Sequence, residues 1–90
     1  MKSKSTSELK ASIHRVEEIC KSNKLGFTEI RRQVFEIIVK NNKPIKAYEI
    51  LDKISNINNK PSHPPTVYRA IDFLIENGFV HKLNSINSFV

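Results

Sequence analysis

Ninety residues make one domain and leave no room for a second core, and 39% hydrophobic with 27% charged residues excludes disorder throughout. No apolar run nears the ~20 residues of a membrane span, and Met1-Lys2-Ser3-Lys4-Ser5 leads into no secretory signal. Fifteen Lys and Arg against nine Asp and Glu give a formal charge of +6, which fits a polyanion partner, most often nucleic acid, and equally a merely solvated basic surface.

In chain order, residues 1–6 read as a flexible basic arm, and residues 7–90 as the folded domain. Ser7 and Glu8 open a first helix whose apolar stripe is Leu9, Ile13, Val16 and Cys20. Asn23-Lys24-Leu25-Gly26 ends it. Thr28 caps a second helix with the stripe Ile30, Val34, Ile37 and Ile38, stopped by Asn41-Asn42-Lys43-Pro44. A third helix, from about Lys46 to Ser55, buries Ala47, Ile50, Leu51 and Ile54. Residues 56–65 hold four Asn or Ser and three Pro, a loop composition. Thr66 then caps a fourth helix that buries Val67, Ala70, Ile71 and Leu74 and ends at Asn77-Gly78. Two strands, 79–83 and 88–90, flank the turn 84–87. The expected fold is α+β: a winged helix, with a helix-turn-helix and a C-terminal two-stranded wing. Val90 closes the last strand without a turn, as in a fragment or a naturally short chain.

The helix faces carry the functional reading. Tyr68 and Arg69 project from the fourth helix, where Arg suits guanine edges and Tyr a thymine methyl or a phosphate. The helix N-terminus is expected to add free N–H groups for phosphate. The competing arrangement lays the Tyr68 ring on the domain surface and pairs Arg69 with Asp72 or Glu76. Tyr48 and Lys46 offer a second exposed aromatic and cation, unless Tyr48 packs against the first helix. Arg31 and Arg32 fit phosphate contacts or an ordinary charged helix surface. The charge surplus lies entirely within residues 1–60, since residues 61–90 carry two cations and two anions.

Chemistry of other kinds finds little support. Among His14, His63, His81 and Cys20 no paired metal-ligand spacing occurs, and Cys20 sits on an apolar stripe. One Cys allows no intrachain disulfide and fits a reducing compartment, so the expected location is cytoplasmic. Two glycines, no phosphate loop and no nucleophile elbow argue against an enzyme.

The segment from Pro64 to Leu83, with Thr66-Val67-Tyr68-Arg69 at its centre, resembles the ferric uptake regulator family and most of all its zinc uptake regulator branch. Phe27-Thr28 with Arg31 and Val34, and Lys46-Ala47-Tyr48-Glu49-Ile50-Leu51-Asp52, resemble the same branch. The resemblance covers roughly residues 10–90. It implies a DNA-binding domain of a metal-responsive, zinc-sensing transcriptional repressor whose homodimers bind AT-rich palindromic operators of metal-uptake genes. It implies DNA contacts by Tyr68, Arg69 and Tyr48, beside the candidates Thr66, Lys46 and Arg31. It also implies that His81 is the first ligand of a hinge zinc site.

The remaining ligands, the structural Cys₄ zinc site and the C-terminal metal-binding dimerisation domain implied by the family are absent from the sequence. One imidazole cannot hold zinc. The chain alone is therefore expected to be monomeric, to bind double-stranded DNA weakly, to bind no zinc tightly and to engage no membrane. Asn42-Lys43-Pro44 and Asn84 replace the His and the acidic residue of the iron branch. Other readings are a sensor of another metal or of peroxide in the same family, and a winged helix that docks on proteins.

Overall fold

Helix α1 (Thr6–Ser22) turns its predicted stripe inward, with Leu9, Val16 and Cys20 buried and Ile13 partly so. This computed structural model describes residues 6–41, 43–83 and 88–90. The arm expected over residues 1–6 lies outside them, apart from the Thr6 backbone that starts α1. Lys24, at φ 57°, closes α1, and the Leu25 N–H donates to the Cys20 carbonyl at 2.7 Å. That six-to-one bond is the usual way to satisfy a helix end, here with a lysine where glycine is cheaper.

Helix α2 (Glu29–Lys40) starts at Thr28, whose hydroxyl accepts from the Arg31 N–H at 3.4 Å. It buries Val34, Phe35, Ile37 and Ile38. Phe35 was not in the predicted stripe, because α2 packs against α1, α3 and α4 together, which widens the apolar arc beyond one helical row. On the solvent side Arg32 bridges Glu29 and Glu36, one turn away in each direction.

A two-residue strand β1 (Ile45–Lys46) precedes α3 (Ala47–Asn58), which runs three residues past the expected end at Ser55. Asn59 adopts φ 56° and its N–H donates to the Ser55 carbonyl, closing the helix without glycine. Helix α4 (Pro64–Glu76) starts two residues before the expected cap, so Thr66 is not the N-cap. His63 holds that position, and Pro64 and Pro65 begin the helix. Proline fits there because its φ is already helical and it brings no N–H to satisfy. Gly78, at φ 75°, ends α4, and the Phe79 N–H donates to the Leu74 carbonyl at 2.8 Å.

The strands are shorter than expected. Phe79 and Val80 both turn their N–H groups back to Leu74, which keeps them out of the ladder. Strands β2 (Lys82–Leu83) and β3 (Ser88–Phe89) pair antiparallel, and β1 joins the other side of β3, giving the order β1-β3-β2. His81 and Val90 extend the ladder with mutual backbone bonds of 2.7 and 2.9 Å. The expected turn 84–87 lies outside the described residues. The fold is the expected α+β winged helix, with β1 as a third strand. Its core joins Val34, Ile50, Ile54, Val67, Ile71 and Leu74 from three helices to Val80, Ile45 and Phe89.

Candidate nucleic-acid interface

Burial of Val67, Ala70, Ile71 and Leu74 fixes the roll of α4 about its axis and leaves Tyr68, Arg69 and Asp72 facing solvent. Burial of Ile50 and Ile54 does the same for α3 and leaves Tyr48 outward. Tyr48 is 66% exposed and Tyr68 44%, so neither ring is laid down as core packing. Both line one open depression together with Lys46, Asp72 and Lys82, over a floor that includes Ala47, Ile71 and Phe89. Strands β1 and β2 bring one lysine each. Among the described residues neither lysine is ion-paired.

Local structure holds these groups in place. The Glu49 carboxylate accepts from the Lys46 N–H at 3.0 Å, which ties the start of α3 to β1. In the turn between α3 and α4 the Ser62 N–H donates to Ser55 Oγ at 3.1 Å. The Ser62 hydroxyl donates to the Leu51 carbonyl at 3.1 Å. Gln33 and Asn58 exchange amide bonds of 3.2 and 3.1 Å, fixing the end of α3 on α2. A rigid mount of this kind lets exposed side chains meet a ligand with little ordering cost.

The other sequence candidates fall elsewhere. Arg69 is exposed beside Tyr68 and, among the described residues, pairs with neither Asp72 nor Glu76. Thr66 lines a separate hollow with Glu29, Gln33, Asn58 and His63. Arg31 is half-buried, with its guanidinium 3.8 Å from the centroid of Phe73 and a bond to the Gly26 carbonyl. It does not reach the depression. His81 is exposed on the first ladder pair of β2 and β3.

The expectation of free N–H groups at the start of α4 fails. Pro64 and Pro65 carry none, and the Thr66 and Val67 N–H groups both point to the His63 carbonyl, at 3.0 and 3.2 Å. Anion contacts at this face therefore rest on side chains. Sequence reading also passed over Lys82, whose segment is neutral in the charge count. Its only sequence signal is a cation in a strand of the wing.

Metal binding does not fit the described residues by themselves. Among them no group of three or more His, Cys, Asp or Glu converges, and a lone imidazole at His81 is fewer than the three or four ligands zinc requires. Cys20 is 1% exposed, and burial pushes its thiol pKa up, with the nearby Arg31 charge opposing. A buried, protonated thiol is neither a metal ligand nor a nucleophile. No helix among the described residues is long and apolar enough to cross a membrane.

No protein-family model matches the chain. It is 40% identical over all 90 residues to the zinc uptake regulation protein of Escherichia coli strain K12 and covers 50% of it. The chain thus spans about half the length of the curated relatives it matches. Its fold is similar to that of a zinc uptake regulator complexed with zinc and DNA, with a TM-score of 0.87, 38% identity, and coverage of 97% of this chain and 56% of that one. The ferric uptake regulator of Helicobacter pylori, at 22% identity, shares the fold with a TM-score of 0.74 over 99% of this chain and 59% of that one. These relatives are named as regulators, not as enzymes. Sequence and fold together make these 90 residues similar to zinc uptake regulators over about half of those proteins' length.

Proposed function

We propose that the chain is the DNA-reading part, residues 7–90, of a cytoplasmic zinc-responsive transcriptional repressor that binds AT-rich palindromic operators of metal-uptake genes. The observation that carries this reading is the pair of exposed tyrosines, Tyr48 and Tyr68, mounted on two helices around one depression flanked by Lys46 and Lys82. Arg69 and Tyr68 read base edges in the major groove, Tyr48 packs on the DNA beside them, and Lys46 contacts phosphate. Arg31 supports the position of α4 through Phe73, and Thr66, exposed on the first turn of α4, is a further DNA contact. A relative of known structure is complexed with zinc and DNA, which supports the same partner here.

The half of the relatives' length that this chain does not match would carry dimerisation and the other zinc ligands, with His81 giving one imidazole. By itself the chain is a monomer that engages one half-site at a time. Its binding is weak because a second, linked contact is missing. Fluorescence anisotropy on an AT-rich palindrome and on a scrambled duplex tests this. Tighter binding to the palindrome supports the reading. Equal binding, or salt-insensitive capture of a protein in place of DNA, removes it.

A further inference from the structure

The wing strand β2 adds a cation to the depression that the sequence pattern did not single out. Lys82 is exposed and lines the same hollow as Tyr48 and Tyr68, across the sheet from Lys46. With the order β1-β3-β2, the two lysines stand on opposite edge strands, with β3 between them. Two strand spacings put those edges roughly 9–10 Å apart. Phosphates on one DNA strand advance about 3.4 Å along the helix axis per step. Lysines mounted on separate edge strands of the sheet are placed to address separate phosphates.

Other groups near them reinforce this use. No carboxylate lies within ion-pair distance of Lys46 or Lys82 among the described residues, although Asp72 lines the same hollow. Glu49 is engaged by the Lys46 backbone N–H. The start of α4 offers phosphate no free N–H, so side-chain cations are the donors available on this face.

We infer that Lys82 is a phosphate-positioning residue which, with Lys46, forms a two-point saddle for the DNA backbone on either side of the tyrosines. This rests on the DNA-binding reading above. The saddle holds the duplex at a fixed height over α4 and carries no sequence information of its own.

The test is the salt dependence of affinity for the wild-type chain, Lys82→Gln and Lys82→Arg, each on the AT-rich palindrome and on the scrambled duplex. Losing one phosphate contact should flatten the plot of log K against log salt by about 0.9. Lys82→Gln should show that change on both duplexes with the palindrome preference intact, and Lys82→Arg should restore the wild-type slope. A Lys82→Gln slope equal to wild type overturns the inference while leaving the DNA-binding reading standing. So does a loss confined to the palindrome. A wild-type chain that binds neither duplex at low salt overturns both.

Discussion

The Arg31 guanidinium lies 3.8 Å from the centroid of the Phe73 ring and so pins the start of α2 to the far half of α4. Phe73 in turn meets Phe79 with ring centroids 6.4 Å apart, linking this stack to the residues that lead into the wing. A cation over a half-buried ring contributes about 0.5–2 kcal/mol. Arg31 thus acts on α4 through packing.

Arg31→Ala should lower stability by about that amount in urea titrations and weaken DNA binding without flattening its salt slope. Arg31→Lys should recover only part of the stability, since an ammonium lacks the planar stack. A flattened slope with unchanged stability would make Arg31 a phosphate contact instead.

Arg69→Ala should cost roughly 1–3 kcal/mol on the preferred site and relax the preference between palindrome and scrambled duplex. Lys46→Ala should weaken both duplexes about equally. Parallel anisotropy titrations separate the two patterns, and a uniform loss for Arg69→Ala would remove it from base readout.

Cys20 stays protonated in the fold beyond the ordinary thiol range, because burial raises its pKa. The unfolded chain ionises first as pH rises, so between the unfolded and folded values it binds fewer protons than the native state. Stability should therefore fall as pH climbs through that alkaline window. Urea midpoints measured across it should show a smaller decline for Cys20→Ala, and an identical decline would assign the effect to other groups.

Zinc should leave DNA binding by this chain unchanged, and His81→Ala should match wild type in that assay. Calorimetric titration should detect no tight zinc site in either protein, since one exposed imidazole is an incomplete ligand set. Tight binding lost in His81→Ala would show that residues beyond those described complete a site.

Much of the fold was legible because the helices are long enough for their period to show. Val67, Ala70, Ile71 and Leu74 marked the inner face of α4, and all four are buried. The same roll leaves Tyr68 and Arg69 outward, so their exposure was readable too. Strand β1 was not legible, because two residues cannot display a period and its pairing with Ser88 and Phe89 is a contact across half the chain. Lys82 was hidden for the same reason, since only the sheet order brings it beside Tyr48. Arg31 looked like a free surface cation because nothing local reveals Phe73, more than 40 positions away, as its partner. The Thr66 cap gave way to His63 because two prolines start a helix without needing a side-chain acceptor.

The most direct measurement is an NMR amide-shift map of the chain titrated with an AT-rich duplex at low salt. A DNA-reading face predicts the largest changes at Lys46, Ala47 and Tyr48, at Tyr68 through Asp72, and at Lys82, with α1 nearly silent. Changes centred on the surface around Glu36 and Ile57, away from the depression, or no changes at any DNA concentration, would contradict it.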